Sequence, residues 1–482
     1  MHLPRQQTTI WITKLLFFAA CIFIVVLHLS LQLPGVDAGI HMYGGLLINK
    51  GYEPHQHINN NKPTLIYLIG AAGFFIKSNP FLGVRIIELI VFGCNLLLIK
   101  GISKMAGLRP AWYYLLSFTA IYLVCWDEGF LTETFNIPFV LLTVYLFLRK
   151  IRQFEFVAAL MLVLSFLLKQ NAIAVIGGVM IIDVISGYRD DNLLQKLVKY
   201  AVALLLYSFA WYAIMRAFGA WDDFLYQTIT YNSKYADRLP FVRSVVSHLT
   251  NNNFLSVKGV SIILLFNACM LVTIWAFFKK YRKKVPFTFE EKFTASAILI
   301  YIPAYFLTYI SGLSHPHYFM LLIVPATFIL GRYVTASLIG KAALLLLLAF
   351  GMYRNAQGIK FNRQLYQSRE EVAAYLKEHT SPGETIHLFG LRDQYVYVMA
   401  DRLCNTRFII PIFENHGYRE VDRQEIMQDF KEHPPKYIVT TNVQLKPRYL
   451  ENFYFKTVLQ TLKSYHVVAY KGQYIIYERT RL

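Results

Sequence analysis

Charge is scarce in this sequence: Asp, Glu, Lys and Arg make up 16% of its 482 residues, against about 25% in an ordinary soluble domain. Acidic residues are the scarcer sign, 29 against 48 Lys and Arg. Cysteine is nearly absent. Of the five, Cys21, Cys94, Cys125 and Cys269 sit inside apolar runs and Cys404 stands by itself, which excludes a disulfide framework or a thiolate metal centre. There is no internal repeat and no low-complexity segment, so a solenoid is excluded and a transporter built from inverted repeats is disfavoured. No small-residue cleavage site follows the first apolar run, residues 15–33, which is expected to be a retained helix.

What fills the chain instead is hydrophobic side chain, 56% of residues. Runs such as 15–33, 260–278 and 342–350 are long or apolar enough for hydrocarbon, where a helix needs about 20 residues. The net charge of +19 is confined to short segments between such runs. That is topology information, and no nucleic-acid partner is expected. Spanning helices are predicted at 14–33, 83–100, 111–126, 134–148, 155–168, 172–186, 198–217, 258–278, 293–310, 317–331 and 337–353, about eleven in all. Segment 63–76 has the length of an interfacial or re-entrant piece. Placing it there puts Lys100, Lys104 and Arg109, then Arg149, Lys150 and Arg152, then the basic run 279–284 in the cytoplasm with Arg5 and Lys14, as the clustering of Lys and Arg in short cytoplasmic loops requires. The N-terminus is then cytoplasmic. Segments 34–62, 127–133 and 217–257, and everything after residue 354, are extracytoplasmic.

From Arg354 the pattern becomes mixed: a helix over 368–379, a strand over 385–389, a helix over 422–432, a strand over 437–441, a helix over 448–464, then a hairpin of 466–470 and 474–479. The expected fold class is therefore a mainly α, polytopic membrane domain over residues 1–353, followed by a soluble extracytoplasmic α/β domain over 354–482.

Titratable residues gather on the predicted outer face. Asp37 begins a short helix, where it either caps backbone N–H groups or stands as a general base for an acceptor hydroxyl, a role worth about 10²–10⁴ in rate. Glu133 opens the predicted helix 134–148 and has the same two readings, a first-turn residue favoured by the helix dipole or a working carboxylate. Two carboxylates from separate loops suit a divalent metal ion or a sugar hydroxyl, and the residues alone do not choose. Lys62, Lys169, His315 and His317 supply cations at the same level. Lys at mid-membrane costs about 2.5–3.5 kcal/mol, so its retention points to use, with snorkelling as the competing account. The run Glu53-Pro54-His55-Gln56-His57 lacks a third ligand at fixed spacing and reads as a solvated loop.

The order of these features resembles the polytopic GT-C glycosyltransferases with lipid-linked donors, the protein O-mannosyltransferases and bacterial aminoarabinose transferases. The matching elements are Asp37 after the first helix, Gly51-Tyr52-Glu53-Pro54, Asn61-Lys62-Pro63-Thr64-Leu65, Thr132-Glu133, Leu168-Lys169, and His317-Tyr318 with Pro325. The chain departs from the family pattern at Asn61, where aminoarabinose transferases carry an acidic residue, and at Thr64, where a second proline is frequent. The resemblance implies a GT-C-like fold in a bacterial inner membrane, with a polyprenyl-phosphate-linked sugar as donor and a lipid, glycan or protein hydroxyl as acceptor. It implies inverting transfer with Asp37 as catalytic base and Glu133 as its acidic neighbour, and Lys62, Lys169, His317 and Tyr318 facing the carrier phosphate. The competing class is a polytopic transporter or lipid-linked saccharide flippase whose path those charges would line.

Overall fold

A computed structural model of the chain describes residues 5–30, 36–126, 129–187, 193–236, 257–309, 316–391, 393–409, 419–441 and 453–480. The predicted apolar runs fall on helices, among them Arg5–Ser30, Pro80–Met105, Ala111–Cys125, Thr132–Leu148, Phe154–Phe166, Ile173–Gly187, Leu193–Ala217, Val257–Arg282, Phe289–Tyr309 and Ile323–Ala336. Among the described residues, five helices are long and apolar enough to cross a membrane, at Thr9–Ser30, Pro80–Met105, Leu193–Ala217, Tyr318–Thr335 and Leu338–Ile359, and four further apolar helices are shorter. Leu194, Leu197, Val198, Val202, Leu205 and Phe209 are exposed along one of them. A helix keeps its backbone hydrogen bonds to itself, so an apolar exterior is stable in hydrocarbon.

By contacts the chain divides into two units, one of Met1–Ser30, Ile86–Ile214 and Ala236–Ile359, the other of Leu31–Arg85, Met215–Tyr235 and Lys360–Leu482. In the first, Ala111–Cys125 is buried along nearly its whole length, with Arg5–Ser30 and Ile323–Ala336 packed against it. The helices Thr132–Leu148, Phe154–Phe166 and Ile173–Gly187 pack in succession, and Phe289–Tyr309 closes against the third.

In the second unit two helices, Val36–Asn49 and Leu65–Gly73, form the most extensive helix pair. Glycine makes this possible: a Cβ on Gly45 would lie 2.5 Å from the Ala71 nitrogen. Asn49 locks the pair, its Nδ2 donating to the carbonyls of Gly45 at 2.9 Å and Ala71 at 3.1 Å. The rest is a four-stranded sheet in the order β1-β2-β4-β3, with β1 Ile386–Leu388, β2 Tyr437–Thr441, β3 Tyr465–Lys471 and β4 Tyr474–Arg479. Strands β1 and β2 run parallel, and the other two pairings are antiparallel. The helices Glu420–Glu432 and Phe453–Leu462 cover the sheet through Ile426, Phe430, Tyr454 and Val458, which pack with Phe389 and Ile438. The helix expected over 368–379 is the end of a continuous helix, Leu338–His379, that passes residue 354 without a break.

Candidate functional site

In the first unit Glu133 occupies the first turn of Thr132–Leu148, where the dipole favours a carboxylate. Lys169 follows the end of Phe154–Phe166 on extended backbone, its N–H donating to the Ser165 carbonyl at 2.9 Å. Their side chains, both buried, form a direct Lys169–Glu133 ion pair. Tyr318, in the short helix Pro316–Leu322, lays its ring against the ammonium, 4.0 Å from Nζ to the ring centre. Thr132 Oγ1 donates to the second Glu133 oxygen at 2.8 Å, and Asn136 bonds Ser165 one turn below. These neighbours fix the Lys169 ammonium by charge, ring face and backbone. An ammonium so held is positioned before any anion arrives, which is the requirement for stabilising charge that develops in a reaction.

In the second unit Asp37 lies in the first turn of Val36–Asn49, and its Oδ2 is 3.5 Å from Lys62 Nζ. The Asp37 side chain keeps 38% of its exposure and Lys62 keeps 16%, so the carboxylate is open to solvent while its partner is mostly covered. Lys62 precedes Leu65–Gly73, and the contacts Asp37 with Lys62 and Gly45 with Ala71 advance together along the two helices. The helices therefore run side by side in one direction, and their shared beginning is where acid and base meet.

The loop that carries Lys62 is anchored by residues that the sequence pattern does not reveal. His55 is buried, with Nδ1 bonded to Gln227 Oε1 at 2.9 Å and Nε2 to Thr64 Oγ1 at 2.8 Å, while Gln227 Nε2 donates to the His55 carbonyl. Gln227 belongs to a π turn, Tyr226–Thr230, inside the helical stretch that starts at Trp221. Asn61 and Asn232 exchange two hydrogen bonds of 3.1 Å. The Asn59 N–H donates to the Arg407 carbonyl at 2.8 Å, and the Arg407 guanidinium bridges Asp223 and Glu425 at 2.7 Å each. Thr64 and Asn61 are thus both used in holding the loop.

The run 53–57 is accordingly not a solvated loop. Glu53 caps the turn Pro54–His57 by accepting from the Gln56 N–H at 3.0 Å. Burial pushes its carboxyl up to about 7 against the pull of that N–H, and burial holds the His55 imidazole down at about 4. With both ring nitrogens engaged, His55 is no metal ligand. Among the described residues no three His, Cys, Asp or Glu side chains gather as a metal site. Asp37 and Glu133 each face a lysine, a donor set that fits a divalent ion poorly. The backbone of His317 lies in Pro316–Leu322 and its side chain is outside the described residues, as are Asp127, Glu128 and His315.

No protein-family model matches the chain, and no curated protein matches it in sequence. Solved structures do match. The structure of ArnT from Cupriavidus metallidurans bound to undecaprenyl phosphate is similar at a TM-score of 0.59 and 13% identity, covering 97% of this chain and 98% of that one. Its apo form is similar at 0.57 and 13% identity, over 98% of both chains. The Archaeoglobus fulgidus oligosaccharyltransferase in complex with Zn and sulfate is similar at 0.51 and 14% identity, over 93% of this chain and 71% of that one. The chain has the GT-C fold that these proteins share.

Proposed function

From that shared fold we propose that the chain is a multi-pass membrane glycosyltransferase that moves a sugar from a polyprenyl-phosphate donor to a hydroxyl of a lipid, glycan or protein acceptor. The observation that carries the reading is Lys169, a buried ammonium kept between Glu133 and the face of Tyr318. Desolvating a lysine among apolar helices is costly, and a fold retains it where an anion must be met. The undecaprenyl phosphate in the similar ArnT structure supports a polyprenyl-phosphate as that anion.

In this reading Asp37 takes the proton of the acceptor hydroxyl as its oxygen bonds to the anomeric carbon. The carbon–oxygen bond to phosphate breaks on the opposite side, the electron pair leaves with polyprenyl phosphate, and the configuration inverts. Lys62, Lys169, His317 and Tyr318 are assigned to the carrier phosphate, where fixed cations stabilise the growing charge. Glu133 is assigned to holding Lys169. Residues 1–353 are read as the catalytic membrane region and 354–482 as an extracytoplasmic α/β region, in a bacterial inner membrane with the N-terminus cytoplasmic. The distribution of Lys and Arg supports that orientation.

The test is mass spectrometry of envelope glycolipids and glycoproteins from cells with and without the chain. A single sugar mass that appears on one acceptor class with the chain supports the reading. Saccharide flux into vesicles containing the purified chain, with no new glycosidic bond in either assay, overturns it in favour of a transporter.

A further inference from the structure

A cavity of about 700 Å³ opens in the second unit, within the range of about 300–1,000 Å³ typical of small-molecule sites. Its origin lies in one helix face. Tyr366, Glu370, Ala373, Ala374 and Lys377 of Leu338–His379 recur at spacings of three and four, and two consecutive alanines leave the middle of that face without bulk. Opposite stand Lys50 just past the end of Val36–Asn49, the turn 74–79 with Phe74 and Lys77, and Phe81 in the first turn of Pro80–Met105. Met399 and Asp401 complete the wall.

The charges in it do not cancel. Three lysines face two carboxylates, and one carboxylate is spent: Asp401 Oδ1 holds Lys50 Nζ at 2.8 Å. Asp401 does so from the left-handed position, φ +55°, that ends the helix Tyr395–Ala400, a conformation that few residues other than glycine adopt but that Asp tolerates. Lys77 and Lys377, both exposed, then share the cavity with Glu370 as the remaining carboxylate of its lining. Beside these ammonium groups lie the rings of Phe74 and Phe81 and the Met399 side chain, an apolar surface that a small inorganic anion would not use.

We propose that this cavity is a binding site for an anionic amphiphile: Lys77 and Lys377 hold a phosphate or carboxylate group, and Phe74, Phe81 and Met399 take the apolar portion next to it. Two ammonium groups give the charge-assisted bonds that an anionic oxygen accepts, and the apolar wall favours a lipid headgroup region over free phosphate. The site uses none of the residues assigned to transfer, and it stands whether or not the chain is a transferase.

Native mass spectrometry of the full chain released from detergent tests this, titrating short-chain phosphatidic acid, a diacylglycerol with the same chains, and inorganic phosphate. The expected result is one-to-one binding of phosphatidic acid, with the other two binding at least about tenfold more weakly. Lys77→Glu with Lys377→Glu should weaken the phosphatidic acid complex by at least about tenfold, and Ala374→Leu, on an exposed helix face, should weaken it by filling the space. Where the double charge reversal fails to fold, Lys77→Gln with Lys377→Gln at an unchanged melting temperature decides in its place. Unaltered binding in these variants overturns the proposal. So does inorganic phosphate binding equally well, which leaves a bare anion site, or diacylglycerol doing so, which leaves an apolar slot.

Discussion

Lys169 and Glu133 carry a large electrostatic stake, because both are buried and each compensates the other. Removing one partner from a buried pair leaves an uncompensated charge and costs about 3–5 kcal/mol. Lys169→Met should therefore lower the melting temperature in detergent markedly, and Glu133→Gln combined with Lys169→Met should recover much of the loss while leaving transfer abolished. A double variant no more stable than Lys169→Met would contradict this account of the pair. A second residue-scale prediction concerns pH. His387 is fully buried between Asn405 and Tyr454, and burial holds its imidazole down at about 4. Because the folded value is depressed, the unfolded chain binds a proton that the folded chain refuses between about 6.5 and 4. The stability owed to neutral His387 is complete above about 6.5 and is lost as pH falls towards 4. Comparing His387→Gln with the parent cancels the carboxyls that titrate in the same window, Glu53 among them. The stability gap between the two should shrink on acidification by on the order of 3 kcal/mol across that window, read from melting curves at stepped pH. A constant gap would contradict it.

The pair Val36–Asn49 and Leu65–Gly73 depends on backbones approaching more closely than any side chain permits. At Gly45 an added methyl meets backbone atoms that cannot swing away. Gly45→Ala should cost about 1–3 kcal/mol by overpacking and should lower transfer beyond what the stability loss explains, since the same pairing brings Asp37 to Lys62. Full activity in that variant would separate the helix pair from the site. Element by element, the sequence was most legible at its short strands: β2 stands over 437–441, and β3 and β4 stand at the hairpin predicted over 466–470 and 474–479. It was less legible where the pattern changes but the helix does not. Residues 351–367 replace an apolar run by polar residues without a proline, so Leu338–His379 continues while its surroundings change. The helix Tyr395–Ala400 escaped notice because five of its six residues are buried, leaving no amphipathic period to detect. The π turn with Gln227 has no sequence period at all.

At the scale of the whole molecule, the GT-C fold could be read from the order of short motifs, although no single one was specific and the sequence identity to the similar structures is 13–14%. Hydropathy located the helices because lipid-facing helices must be apolar outside as well as inside. Which charges meet was harder to read. Asp37 with Lys62 and Glu133 with Lys169 are joined across 25 and 36 positions, and spacing along a chain does not encode such pairings. Each of the two carboxylates is met by a lysine. The anchors of the Lys62 loop, His55 to Gln227 among them, span 172 positions and carried no signal. In the proposed transfer Asp37 is the base as the glycosidic bond forms. The most direct measurement is the release of polyprenyl phosphate from a polyprenyl-phosphate sugar by the purified full chain in the presence of acceptor, comparing the parent with Asp37→Asn at equal melting temperature. Transfer in the parent and a fall of about 10²-fold or more in the variant are expected. Equal rates in the two would contradict it.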